Sequence, residues 1–93
     1  MKNMIYKTDT KEIDLSKVVR LYPAAVVDLD GERAEMSLEW VDMYGEKVKI
    51  VSFVLIFDFP SLEESKKNRE VLEFETKEKL IITMQEVSIF FQD

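Results

Sequence analysis

The chain contains no cysteine and no histidine among its 93 residues. The missing cysteine excludes disulfides, thiol nucleophiles and thiolate metal ligands. The missing histidine excludes imidazole ligands and the side chain that most often acts as a general acid or base near neutral pH. We therefore expect no catalytic residues, no metal site and no cofactor, and the absent cysteine favours a reducing, cytoplasmic location.

Positive charge and long apolar runs are also scarce. The 13 basic residues are outnumbered by 19 acidic ones, which argues against nucleic-acid binding, because that function needs a basic surface. The most apolar stretch, residues 48–59, is too short to span a bilayer, and residues 1–7 lack the apolar core of a signal peptide. We expect no membrane insertion, and the 46% hydrophobic content is typical of a single folded domain over residues 1–93.

Glycine occurs only twice, and both glycines lie between strand-like runs. Asp30-Gly31 predicts a two-residue hairpin turn, because such turns need positive φ angles. Gly45, at the end of Met43-Tyr44-Gly45, predicts a three-residue loop with the glycine in the left-handed region. Two such turns predict three consecutive strands from Ala24 to Phe59.

These turns fix a strand register. The first pairs Val27 with Ala34 and Ala25 with Met36. The second pairs Trp40 with Val48 and sets Glu39 opposite Lys49. Such a register gives one apolar face, predicted to be the core face: Ala25, Val27, Ala34, Met36, Leu38, Trp40, Val48, Ile50, Val54 and Ile56. Seven polar residues share the other face: Asp28, Arg33, Glu35, Ser37, Glu39, Lys47 and Lys49.

The rest of the chain predicts further strands and one helix. Residues 4–8 predict an edge strand or a loose arm, and residues 17–22 a strand, with a short helical turn after Asp14 as the alternative. Pro23 predicts an edge position or a kink. Ser61 to Arg69 predicts a loop, and Glu70 to Glu75 a strand.

The C-terminal segment predicts an amphipathic helix over about residues 77–91. Thr76 is its expected N-cap, although residues 87–91 could also extend as a strand. The predicted inward stripe is Leu80, Ile81, Met84, Val87 and Phe91. The fold class is therefore α+β, a curled antiparallel sheet in a meander of about five to six strands with one C-terminal helix.

Two acidic features deserve a functional interpretation. Asp28-Leu29-Asp30-Gly31-Glu32 gathers carboxylates at a turn, as a calcium site would. Arg33 occupies the position where the calcium loop of an EF-hand needs glycine, so a solvated hairpin tip is favoured. Residues 28–46 nevertheless hold seven carboxylates against Arg33 alone, and Asp28, Glu35 and Glu39 are predicted to present an acidic face to a protein partner.

The predicted strand that ends at Phe59 has more apolar residues than one buried face needs, which suggests self-association. Its outward residues are Val51, Phe53, Leu55, Phe57 and Phe59. If the helix covers the opposite face, this set becomes a subunit interface. The competing interpretations are that the helix covers this set within one chain, or that the set lines a ligand groove.

Two local stretches resemble small bacterial pleckstrin-homology-like domains. Residues 13–18, Ile-Asp-Leu-Ser-Lys-Val, are similar to the entry into an early strand, and residues 74–80, Phe-Glu-Thr-Lys-Glu-Lys-Leu, to the last strand running into the capping helix. The resemblance implies a scaffold for protein contacts without an active site. That fold has seven strands, and the basic loops that bind lipid headgroups have no counterpart in this chain.

The sequence favours a non-enzymatic protein-interaction or scaffold module. Its expected partners are another protein or a second copy in a homodimer. The alternative is a small-ligand-binding or enzymatic domain that uses an apolar groove near Asp58.

Overall fold

The computed structural model describes residues 4–60 and 68–92 and confirms the α+β class. Two antiparallel sheets are present in these ranges, one of two strands and one of four, and the four-stranded sheet has the order β4-β3-β5-β6. The strands are β1 (Ile5–Lys7), β2 (Glu12–Asp14), β3 (Arg20–Leu29), β4 (Glu32–Met36), β5 (Lys49–Asp58) and β6 (Arg69–Phe74). The helices are α1 (Leu38–Tyr44) and α2 (Lys77–Ile89).

The first predicted hairpin is confirmed. β3 and β4 pair with Val27 opposite Ala34, as the two-residue turn requires. Asp30 and Gly31 have φ angles of 52° and 88°, the left-handed values that Asp and Gly tolerate best. The Asp28 carboxylate accepts a hydrogen bond from the Gly31 amide at 2.8 Å, so this acid stabilises the turn.

The second predicted hairpin is wrong, because residues 38–44 form the helix α1. The Ser37 side chain caps this helix by accepting a hydrogen bond from the Trp40 amide. Gly45 has a φ of −60° and opens a 3-10 turn that leads into β5. Trp40 and Leu38 therefore have no strand partners, and the expected meander is interrupted after β4.

β5 instead returns to pair with β3 on the side away from β4. Val26 lies opposite Ser52 but Val27 lies opposite Ile50, so Val51 is an extra residue in a β-bulge. The bulge shifts the alternation by one residue. Ile50 therefore shares a face with Val27 as predicted, whereas the prediction that Val54 and Ile56 share the face of Val27 is wrong.

Directly opposed residues point to the same face of a sheet, so the register defines two faces. The covered face lies under α2, and it includes Leu21, Ala25, Val27, Phe53, Leu55, Phe57, Leu72 and Phe74. The opposite face includes Tyr22, Ala24, Val26, Ser52, Val54, Ile56, Asp58, Arg69, Val71 and Glu73. Residues 52–57 are buried on both faces except for half-buried Phe53, as the continuous apolar run predicted.

The N-terminal segment packs on the covered face. Ile13 and Leu15 join the main core beside Leu55 and Phe57. Residues 15–17 form the short helical turn that was the alternative prediction, capped by Asp14. Pro23 lies inside β3 at a point that β4 does not reach, since β4 ends opposite Ala25. The predicted edge position of this proline is thus confirmed.

The C-terminal helix is confirmed, including its N-cap. The Thr76 side chain accepts a hydrogen bond from the Lys79 amide at 3.2 Å, and α2 continues to Ile89, so residues 87–89 are helical. Leu80 and Val87 are fully buried, but Ile81 and Phe91 are exposed, which corrects the predicted stripe. The strand predicted over 70–75 is β6, and residues 61–67 of the predicted loop lie outside the described residues.

Candidate functional site: the α1 surface

The helix α1 has an unusual composition for a surface helix. Five of its seven residues are apolar, namely Leu38, Trp40, Val41, Met43 and Tyr44, yet none of them is buried. Leu38 is partly buried and packs beside the main core, so α1 rests on the covered side of the sheet. The fold therefore places apolar side chains in one short helix without enclosing them.

Trp40, Met43 and Tyr44 are here called the α1 patch; Trp40 is half-buried, whereas Met43 and Tyr44 are exposed. The Trp40 and Tyr44 rings lie one helical turn apart with centroids 5.2 Å from each other, a separation at which aromatic pairs attract. Met43 is 69% exposed and Tyr44 is 42% exposed. The contact between the two rings restricts their motion, whereas the flexible Met43 side chain beside them can adapt to different binding partners.

Acidic side chains surround the α1 patch. Glu39 lies in the first turn of α1, where negative charge is favourable, and Glu46 lies in the 3-10 turn that follows. Asp42 accepts a hydrogen bond of 3.2 Å from Lys77 Nζ, which connects α1 to the start of α2. Within residues 4–60 and 68–92, Glu39 and Glu46 have no ion-pair partner, so their charge remains available to a binding partner.

Of the predicted acidic partner face, Asp28 and Glu35 share one face of the β3–β4 hairpin, because Glu35 lies opposite Val26, two residues from Asp28, whereas Glu39 does not join them. Asp28 serves the hairpin turn. Glu35 accepts a hydrogen bond of 2.7 Å from Arg69 Nη2. This hydrogen bond raises the pKa of the Arg69 guanidinium. Only Glu39 lies in α1, because residues 38–44 left the sheet. The patch itself was missed, although a serine N-cap and aromatic residues four apart were visible in the sequence.

The predicted subunit interface lies on the covered face. Leu55 and Phe57 are completely buried in the same cluster as Leu80 and Val87 of α2. Phe53 and Phe59 are half-buried beside that cluster, and Val51 is the half-buried bulge residue. The interface prediction assumed that α2 covers the other face, and this assumption is wrong: the chain's own helix covers Phe57.

Asp58 lies at the end of β5 on the opposite face. Its carboxylate accepts a hydrogen bond of 3.1 Å from Arg20 Nε, and Arg69 is its neighbour on β6. The Arg20 guanidinium also lies 4.5 Å from the centre of the Tyr22 ring. Arg20 on the neighbouring strand therefore holds Asp58 in an ion pair at the sheet end.

A cleft of about 650 Å³ lies between the β1–β2 turn and β6. Its lining includes Tyr6, residues 7–11, residues 71–74 and Thr83, and Asp58 is not part of it. Lys11 Nζ crosses the cleft to the Val71 carbonyl at 3.0 Å and to Glu70 at 3.1 Å. The outer edge of β6 thus faces a lysine side chain where an inner strand would face another strand.

Neither comparison with known proteins nor the arrangement of the acidic side chains identifies a function. No family model, curated protein or solved structure matches the chain, so the resemblance to pleckstrin-homology-like domains stays a prediction. Among the residues that the structure describes, no three acidic side chains converge as metal ligands would. No helix in those ranges is long and apolar enough to cross a membrane.

Proposed function

We propose that this chain is a non-enzymatic protein-interaction module that binds a basic, partly apolar segment of another protein through the α1 patch. The observation that carries the proposal is that none of the five apolar residues of α1 is fully buried and that Met43 and Tyr44 are exposed. Tryptophan, tyrosine and methionine are enriched where proteins bind each other. The exposure of Met43 and Tyr44 beside the Trp40 ring is consistent with burial by a partner.

The charge around the patch selects the partner. Glu39 and Glu46 would attract lysine and arginine side chains and speed the encounter with them. Two copies of the same patch would bring carboxylates of like charge together, which is unfavourable. The patch therefore fits a basic partner better than a second copy, and a cytoplasmic location, as expected from the absent cysteines, is part of this proposal.

Quantitative affinity capture from a lysate of the native host tests the proposal. We expect the unmodified protein to retain one or more basic proteins, and Met43→Glu or Tyr44→Glu to lose them. Val19→Glu is the matched control, because Val19 is also an exposed apolar residue, 66% exposed, at the end of the sheet away from α1. Raising the salt concentration should weaken the capture.

Two results would contradict the proposal. The first is capture that Val19→Glu reduces as much as Met43→Glu does. The second is capture that neither α1 variant changes. The alternative of ligand binding or catalysis near Asp58 has less support, because Arg20 already holds that carboxylate and the described cleft lies elsewhere.

A further inference from the structure

The outer edge of β4 is open in the described part of the structure. β4 lies at one end of the strand order, and β6 at the other end faces Lys11. Within residues 4–60 and 68–92, no hydrogen bond from another element than β3 reaches the backbone of β4. The helix α1 leads from β4 back to β5, and its Leu38 packs beside the core under α2. It therefore lies over the sheet and leaves the edge of β4 accessible to a further strand.

Two residues of β4 point their backbone groups toward this open edge. In a hairpin closed by a two-residue turn, the residues that flank the turn form the first hydrogen-bonded pair, which here is Leu29 with Glu32. Hydrogen-bonded and non-hydrogen-bonded pairs then alternate along the two strands. The amide and carbonyl groups of Arg33 and Glu35 therefore point outward, where an added strand would pair with them.

The side chains of the same two residues carry opposite charges. Arg33 and Glu35 are both exposed and lie on one face of β4, with Ala34 between them on the other face. Glu35 Oε2 accepts a hydrogen bond from Arg69, which leaves its second carboxylate oxygen for another partner. Arg33 has no ion-pair partner among the described residues. The edge thus presents one positive and one negative side chain, one residue to either side of Ala34.

This arrangement is complementary to itself. An antiparallel copy related by a two-fold axis beside Ala34 places Arg33 of one copy opposite Glu35 of the other, and the symmetry repeats the pair. Opposite charges attract across two strands, whereas an axis beside Arg33 or Glu35 would put that residue opposite its own copy, which is unfavourable. The axis beside Ala34 also places Glu32 opposite Met36, so no like charges within β4 are directly opposed. The charges therefore select one register.

The two α1 patches stay apart in this register. α1 begins at Leu38, which lies about 13 Å from Ala34 along the strand direction. The two-fold axis sends the two helix starts in opposite directions, so they are separated by about 26 Å along the strands. The acidic residues around the two patches do not face each other, and both patches remain accessible.

We propose that the chain forms a homodimer through the outer edges of two β4 strands, which joins two four-stranded sheets into one continuous sheet. This dimer uses a different surface from the α1 patch and does not depend on the basic partner proposed for that patch. The pairing strands have five residues each, so the contact is at the low end of specific interface sizes. We expect a dimer that dissociates on dilution.

Sedimentation velocity over a series of protein concentrations tests the charge pairs. The unmodified protein should shift from monomer to dimer as its concentration rises. Arg33→Glu and Glu35→Arg should each raise the dissociation constant about tenfold or more, because each change places like charges opposite each other. Lys79→Glu is the matched control: it reverses the charge of an exposed lysine on α2 and should leave the dissociation constant unchanged. Far-UV circular dichroism should show that all three variants remain folded.

The two edge variants also test each other. An equimolar mixture of the Arg33→Glu and Glu35→Arg proteins should form a heterodimer, because every pair across the edge then joins a carboxylate to a guanidinium. Recovery in the mixture separates a lost charge pair from a damaged fold. A mixture that stays monomeric at concentrations where the unmodified protein dimerises would overturn the proposed register.

A single cysteine tests the register independently, because the chain has none of its own. Ala34→Cys should form a disulfide-linked dimer under mild oxidation, since directly opposed residues of two strands lie within disulfide range. Glu32→Cys is the control on the same face of β4, and it should not form this dimer, because its copy lies about 13 Å away along the strands. An unmodified protein that stays monomeric at all concentrations would overturn the dimer. So would a dimer that neither edge variant weakens, or equal disulfide formation at residues 32 and 34.

Discussion

The Ser37 hydroxyl accepts a hydrogen bond from the Trp40 amide at 3.1 Å. This contact marks the point where the chain leaves the sheet and starts α1. It satisfies one of the amides that a helix start leaves without an intrahelical partner. Because α1 has no buried residue, its stability depends strongly on such local contacts.

Ser37→Ala should therefore lower the free energy of unfolding by about 1 kcal/mol. Chemical denaturation monitored by Trp40 fluorescence measures the change, since Trp40 is the single tryptophan. Ser37→Asp is the matched control and should stay close to the unmodified protein, because aspartate caps helices as well as serine does. Equal losses in both variants would mean that the cap does not hold α1.

The β3–β4 turn gives a second prediction. Gly31 has a φ of 88°, so Gly31→Val forces a β-branched residue into the left-handed region at a cost of about 1–2 kcal/mol. Asp30→Asn should be nearly neutral, because asparagine tolerates this region as well as aspartate does. Thermal unfolding of the two variants decides the matter, and equal melting temperatures would contradict the turn geometry.

Leucine and isoleucine on α2 provide a matched pair for the position of the helix. Leu80 is fully buried, so Leu80→Ala should cost about 2–5 kcal/mol. Ile82 points outward, and Ile82→Ala should change the stability by less than about 0.5 kcal/mol. Urea unfolding of the two variants measures both changes. Similar losses of stability in the two variants would mean that α2 is rotated about its axis relative to the structure.

Tyr6 predicts a change at alkaline pH. Burial raises the pKa of its hydroxyl above the ordinary 10.0, and the hydrogen bond to Glu86 raises it further. The pKa of Tyr6 is thus higher in the folded protein than in the unfolded chain. Its contribution to the free energy of unfolding is complete below the unfolded pKa and is lost as the pH rises through the folded pKa. Tyr6→Phe should therefore weaken the fall in stability above about pH 10.

An ultraviolet titration of the tyrosinates checks the same group directly. The unmodified protein should contain a tyrosine that ionises late, and Tyr6→Phe should remove that component from the curve. A Tyr6→Phe protein that keeps the late component would assign it to another tyrosine.

Local chemistry explains which parts of the fold were predictable. The Asp30-Gly31 turn needs positive φ angles, and few residue pairs meet this need so well, so the register of β3 with β4 follows from the sequence. Thr76 caps α2 by the same kind of local rule. These features depend on residues within one turn of each other and require no knowledge of the rest of the chain.

The wrong predictions concern elements whose structure depends on contacts between residues far apart in the sequence. Residues 34–40 alternate as a strand would, and the Ser37 cap was overlooked, so α1 was predicted as a strand. The partner of β5 was not readable from the sequence, because β3 has two edges and the turn at Asp30-Gly31 determines only the one that pairs with β4. The extra residue Val51 then reversed the alternation of β5 relative to β3.

The candidate site was missed for the same reason. As part of a strand, Trp40 was assigned to the core, and Met43 and Tyr44 were assigned to a turn. Their position as neighbours on one helix, with Met43 and Tyr44 exposed, appears only when residues 38–44 form α1.

Lys11 has a consequence for the behaviour of this protein at high concentration. The outer edge of β6 exposes backbone groups to which another chain could add a strand, which is how many proteins aggregate into fibrils. The Lys11 ammonium occupies the Val71 carbonyl on that edge at 3.0 Å. An incoming strand would have to displace the Lys11 ammonium from this hydrogen bond, so the lysine that links the N-terminal hairpin to the sheet disfavours strand addition at this position.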